Sequence, residues 1–460
     1  MCSAFSTLAF AATVERDTSV LSGSWSEASS WVGGQVPADG DTVRLTGGTS
    51  TDYSDGTASL YQISIIDSDL SVSGGSLTFT NKLYFWGGLL DISGSAYVSS
   101  NATSFGNYDS TQGSVGAKDA VINLHGSATL YNSAHIQDGF GIGTSSLDKN
   151  VTMNIYEDAK VENGRLLLGS KIADSTSKTT LNIYGNANVS TDYVNLYRNV
   201  SLNVGGNARI DAQNALRFGD MTGSSVASEV KIYGSAVIAS NSGDSCIFDS
   251  TTVTVSDSAA LRVNNLNLGK DWEKLRSAGS LVLRDSARFG ASTVTLYNDS
   301  QLVIVGSNLE IISGRAAHIT NLGSSSLPAG QSGSIKFVAD QSGIGGLICE
   351  KLYSLQSDSY VGYEIILDFS NIVDETGTYE IITGAAGSDR EKAIIAAYAN
   401  PDNNLVEVLK ANEDDIYNLF VSDDGKTLMV SYTQVPEPAV CALAFGALAL
   451  CFALRGRRRA

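Results

Sequence analysis

A short corner ending in alanine recurs through the middle of the chain, each time directly after an apolar strand. It reads Gly94-Ser95-Ala96, Gly126-Ser127-Ala128, Glu157-Asp158-Ala159, Gly185-Asn186-Ala187, Gly206-Asn207-Ala208, Gly234-Ser235-Ala236, Asp257-Ser258-Ala259 and Asp285-Ser286-Ala287. Successive alanines lie 21 to 32 residues apart. Weaker copies stand at Gly75-Ser76-Leu77 and Gly306-Ser307-Asn308. A unit of this period cannot bury an apolar face alone, so its copies must stack on one another.

Each unit reads as three short strands. In residues 181–197, Leu181 and Ile183 point one way while Asn182 and Tyr184 point the other, which is the period of a pleated strand. Gly185-Asn186 then makes a corner, because both residues tolerate positive φ. Ala187 and Val189 point inward, and Val194 and Leu196 do so again after a further corner. The same grammar fits Ile122–Leu124, Ala128–Leu130 and Phe140–Ile142, and then Val230–Ile232, Ala236–Ile238 and Cys246–Phe248. The alanine is expected to face a corner too narrow for a larger side chain.

The expected fold is all-β: a single-stranded right-handed parallel β-helix of about ten coils over residues 56–330, roughly 48 Å long at the spacing of neighbouring strands. A propeller would need four strands per repeat of about 40 residues, and leucine-rich repeats a Leu/Asn signature that this chain lacks. Residues 13–55 are expected to cap the first coil, since a bare end coil is an open sheet edge. There Trp25, Trp31-Val32-Gly33-Gly34 and Val36–Val43 resemble a segment common at the start of autotransporter-passenger β-helices. Beyond residue 330 the corner disappears. Residues 331–433 read as a smaller β-rich module with strands at Tyr363–Phe369, Tyr379–Thr383 and Leu428–Tyr432 and one helix at Asp389–Tyr398, stopped by Asn400-Pro401. Asp423-Asp424-Gly425-Lys426 reads as a hairpin turn.

The two ends carry addresses. Residues 1–12 are apolar and small, and Ala9-Phe10-Ala11 has the form of a signal-peptidase site. The run is short and has no basic segment, as in a truncated signal peptide. At the other end Val435-Pro436-Glu437-Pro438 precedes an apolar run, Ala439–Leu454, and then Arg455-Gly456-Arg457-Arg458-Arg459. Sixteen helical residues span about 24 Å, slightly short for a hydrocarbon core of about 30 Å. Flanking arginines can snorkel and hold that end in the cytoplasm.

This tail over residues 435–460 resembles the PEP-CTERM sorting signal of Gram-negative bacteria. The resemblance implies recognition of Pro436, Glu437 and Pro438 by an exosortase-type membrane protease, with the transmembrane helix and Arg455, Arg457, Arg458 and Arg459 removed. It also implies delivery to the envelope, cell surface or extracellular matrix after transient anchoring in the inner membrane. A simple C-terminal anchor is the alternative, and it too places the body outside.

Net charge is −18, which argues against nucleic acid, whose phosphates need a basic face. The five cysteines are scattered, with no CxxC and no Cys/His cluster, so no zinc site is expected. Only Cys246 and Cys349 fall within the body, and their spacing does not say whether they pair. The acidic turns at Asp109, Asp148 and Asp423-Asp424 are where calcium would bind, yet they lack the Gly-Gly-x-Gly-x-Asp repeat. They read as solvated loops, and no cofactor is expected.

β-helices also carry polysaccharide lyases and hydrolases of the pectin-lyase type, so residues must decide. Such chemistry needs paired carboxylates, or a base beside an acidic metal cluster, on neighbouring coils. One outward column runs Asp91, Asn123, Asn154, Asn182, Asn203, Lys231, Thr254, Val282; the next runs Ser93, His125, Tyr156, Tyr184, Gly205, Tyr233, Ser256, Arg284. Neither holds adjacent carboxylates. His125, His135 and His318 show no triad spacing. Asn123, Asn154, Tyr156, Asn182, Tyr184, Asn203 and Tyr233 make a polar-aromatic strip. It would either stabilise the stack as a ladder or bind glycans through rings and amides.

The best sequence reading is therefore a surface or matrix protein, structural or adhesive, with the β-helix as a rigid spacer. A polysaccharide-active enzyme and a glycan-binding module are the alternatives.

Overall fold

The computed structural model describes residues 12–435 except 107–116, 134–138, 145, 147, 173, 220–225, 249, 273–274, 298–299, 309, 312–318, 323–332, 353–362 and 372–375. Residues 1–11 of the expected leader, residues 436–460 of the expected sorting tail, Asp109, His135 and His318 lie outside the described residues. Among the described residues no helix is long and apolar enough to cross a membrane.

The molecule is mostly β, with long parallel sheets consistent with a β-helix. A 15-stranded sheet begins at Ser22–Ser24 and ends at Val406–Leu409, and its strands pair in parallel throughout. A 23-stranded sheet supplies the other sides. Its long strands, such as Asn188–Leu196 and Arg209–Phe218, contain two of the expected short strands joined across a bend. In the next turn the same two stretches are separate, Val237–Ser240 and Asp244–Ile247.

Fifteen strands in one sheet mean that the stack is longer than the alanine corner suggests, roughly 67 Å at the spacing of neighbouring strands. The additional turns use other corners. Strands Ser22–Ser24 and Ser50–Tyr53 already belong to the sheet, so stacking begins inside the segment expected to be only a cap. Nor is residue 330 a break: Ser334–Val338, Glu364–Asp368 and Val406–Leu409 extend the same sheet in parallel.

Columns of aliphatic and aromatic side chains fill the core. Met153, Leu181, Leu202, Val230 and Val253 lie in register on successive strands and are all buried. The eight corner alanines, from Ala96 to Ala287, are buried as expected. The residue two before each alanine takes positive φ, between 55° and 70°, and is Gly, Glu157, Asp257 or Asp285. Corners stack closely: Asn186 N donates to Glu157 O at 2.7 Å and Asn207 N to Gly185 O at 2.8 Å. A carboxylate at this position compensates for the strain of a side chain. Glu157 Oε2 accepts the amide of Gly126 at 2.7 Å, and Asp257 Oδ2 that of Gly234 at 2.8 Å.

One inward assignment is out of phase. Ile247, not Cys246, joins the column of Phe218 and Leu268, so Cys246 faces the other side of its strand. Cys246 and Cys349 are both buried. Four strand spacings separate them, about 19 Å, far beyond the reach of a disulfide.

Two different devices close the ends. At the first, Trp25 and Trp31 meet edge to face at 5.1 Å, Trp31 Nε1 donates to Trp25 O at 2.8 Å, and the buried Arg16 guanidinium lies 5.6 Å from the Trp31 ring. At the last, parallel pairing gives way to an antiparallel set: Thr376–Gly384 pairs Thr427–Thr433, which pairs Ile416–Val421. The turn between the last two strands is the one expected at Asp423–Lys426. Helix Asp389–Ala399 packs on this set and begins with a capping box between Ser388 and Glu391.

Candidate functional site

Both outward columns of the 15-stranded sheet are in register as read from the sequence. Asp91, Asn123, Asn154, Asn182, Asn203, Lys231, Thr254 and Val282 are direct partners on successive strands. The four asparagines form a continuous chain of amides. Asn154 Nδ2 donates to Asn123 Oδ1 at 2.9 Å, Asn182 Nδ2 to Asn154 Oδ1 at 2.8 Å, and Asn203 Nδ2 to Asn182 Oδ1 at 2.8 Å. Strand spacing and amide length match, which is why identical residues repeat there. Lys231 ends the chain and turns to Glu229 at 2.9 Å.

The neighbouring column stacks rings along the same axis. His125 and Tyr156 lie parallel, 5° apart in plane and 5.0 Å between centroids. Asp91 approaches His125 Nε2 at 3.3 Å. Tyr184 and Tyr233 sit 6.3 Å apart with Gly205 between their strands. A Cβ at Gly205 would fall 2.5 Å from Tyr233 Cε2; the glycine is the gap into which that ring folds. Burial, reinforced by the Tyr233 hydroxyl, pushes the Tyr184 hydroxyl up to about 12. Burial also raises Tyr156, with Asp91 adding to it.

Tyr156, Tyr184 and Tyr233 are half-buried. The His125 and Tyr156 faces point at each other, so outward they present edges. Each ladder carbonyl from Asn123 to Asn182 already accepts a bond from the next amide. The arrangement supplies cross-strand adhesion along several turns, with ring edges and outer amide hydrogens facing solvent.

Pro436, Glu437, Pro438 and the tail arginines lie outside the described residues, but their point of departure is defined. Val435 N donates to Asp415 Oδ1 at 2.8 Å. Asp415 Oδ2 accepts the amide of Asn412 at 2.9 Å and the hydroxyl of Tyr432. Burial pushes the Asp415 carboxyl up, but these bonds outweigh it and hold it below the usual range.

Sequence reasoning missed a second outward group, on the 23-stranded sheet. There the Tyr193 ring has the Arg165 guanidinium at 5.2 Å and that of Arg217 at 5.6 Å. Arg165 and Tyr193 are direct partners, but the bend inside the long strands shifts the alternation and hides the column. The Asp415 clamp was equally hidden, since a lone aspartate in a turn carries no pattern. Among the described residues no group of His, Cys, Asp and Glu is placed to hold a metal ion. No protein-family model, curated protein or solved structure matches this chain.

Proposed function

We propose that the chain is an exported surface or extracellular-matrix protein whose body, a single-stranded right-handed parallel β-helix, serves as a rigid spacer. The observation that carries this reading is the Asn123–Asn154–Asn182–Asn203 ladder. It commits a regular row of outward amides to cohesion along the stack. A spacer needs this: turns bonded to their neighbours by backbone and side chain, over a length of roughly 67 Å at the strand spacing.

The address comes from the tail. Residues 436–460 bring together Pro436-Glu437-Pro438, an apolar run and a basic end, which fits sorting by an exosortase-type protease and transient anchoring in the inner membrane. The leader at residues 1–12 fits export.

An array of polysaccharides probed with the purified chain tests the spacer reading against its rivals. The spacer reading expects no release of reducing or unsaturated ends and no binding that depends on the strip. Product release would make the protein an enzyme. Binding abolished by replacing Tyr156, Tyr184 and Tyr233 with Ala would make the strip a glycan site.

A further inference from the structure

The last antiparallel strand, Ile416–Val421, has one free edge among the described residues, since it pairs only with Thr427–Thr433. It begins with two adjacent exposed large apolar side chains: Ile416 is 64% exposed and Tyr417 41%. Strand edges of this kind are normally covered or charged. The Lys410 ammonium stands 5.5 Å from the Tyr417 ring.

The chain leaves the body at this same place. Val435 is held by Asp415, the residue next to Ile416. The apolar run begins at Ala439. Four residues of extended chain reach at most about 14 Å. From these positions we infer that, while the tail is in the membrane, the Ile416–Tyr417 end of the stack rests on the bilayer surface and the β-helix stands on that end. This rests on the reading of residues 439–454 as a membrane span.

The chemistry of the patch suits a zwitterionic surface. An exposed Ile enters the boundary of the acyl chains, a Tyr settles at headgroup depth, and Lys410 can meet a lipid phosphate. The exposed carboxylates Glu413 and Asp414 disfavour a surface with net negative charge. The Asp415 clamp removes the slack that would let the body drift away. Cutting the tail would release the patch from the bilayer, so anchoring and docking end together.

The test uses the full chain in phosphatidylcholine vesicles, with and without brominated acyl chains. Tyr417→Trp and, at the far end of the stack, Val32→Trp each add one indole, and the parent chain supplies the background. Flotation first reports whether the chain is anchored. The expected result is flotation of both variants, with added quenching by the brominated lipid for Tyr417→Trp and none for Val32→Trp. Flotation without quenching of Tyr417→Trp overturns the docking and leaves the anchor standing, as does equal quenching at both ends. Failure to float sinks the anchor reading, and the docking with it.

Discussion

Asn182 donates its side-chain amide to Asn154 Oδ1 at 2.8 Å, one strand spacing away, and accepts from Asn203 at the same distance and from the Tyr184 hydroxyl at 3.2 Å. Replacing Asn182 by Ala removes all of these bonds at once. The expected cost is about 1–2 kcal/mol, because each bond at a half-buried site contributes about 1 kcal/mol or less. Thermal unfolding followed by circular dichroism should show a clear drop for Asn182→Ala. Thr254→Ala, further along the same column, should change little. Equal effects would mean that the ladder is no stronger than its surroundings.

The corner at Glu157 separates backbone strain from side-chain bonding. Glu157 holds φ at 61° while its carboxylate caps Gly126. Gly at this position keeps the left-handed backbone without penalty and loses only the cap, whereas Ala loses the cap and keeps the strain. Glu157→Ala should therefore be less stable than Glu157→Gly by about 1 kcal/mol, the usual cost of a left-handed non-glycine residue. Denaturant midpoints for the two variants check the order, which is the reverse of ordinary strand preference.

Asn163 is buried at the bend of its strand, and among the described residues neither its Oδ1 nor its Nδ2 has a hydrogen-bond partner. An unpaired buried polar group costs about 1–3 kcal/mol. Asn163→Val should thus raise the melting temperature, a rare outcome for a core substitution. A fall in melting temperature would show that the amide is satisfied in solution.

Acid should loosen the terminal clamp at Asp415. The Asp415 carboxyl is held below its ordinary value of 3.8. A group depressed in the folded state contributes stability above its unfolded value, and that contribution is lost as pH falls through the folded one. Asp368, pushed up by burial but lowered further by Lys336 and Ser370, behaves alike. Amide exchange of Ile416–Val421 should therefore accelerate below about pH 4, near the unfolded carboxylate range. Asp415→Asn should flatten that dependence. Unchanged acid sensitivity in the variant would show that Asp415 does not set it.

Much of this architecture was legible in the chain because its physics is local and periodic. Alternation placed Leu181 and Ile183 inside, and a narrow corner demanded the alanines. A shared position five residues before each corner alanine puts Asn123, Asn154, Asn182 and Asn203 in one column. What escaped depends on partners distant in sequence or on irregular corners. The early strands Ser22–Ser24 and Ser50–Tyr53 are not followed by the alanine corner, so the stack is longer than that corner reveals. Cys246 fell on the wrong face because a bend before its strand shifts the phase by one. Residues 331–433 looked separate because the corner vanished, although parallel pairing continues through Ser334–Val338 and Glu364–Asp368. The bonds of Val435 and Tyr432 to Asp415 follow from how the antiparallel set folds back, which no short-range pattern reveals.

Intact Gram-negative cells producing the protein with an exosortase can be labelled with a membrane-impermeant amine reagent, and the recovered chain weighed by mass spectrometry. The predicted result is a labelled body that has lost the apolar run Ala439–Leu454 and the arginines after it. An unlabelled chain that still carries this segment and fractionates with the cytoplasm would contradict export, sorting and the spacer role together.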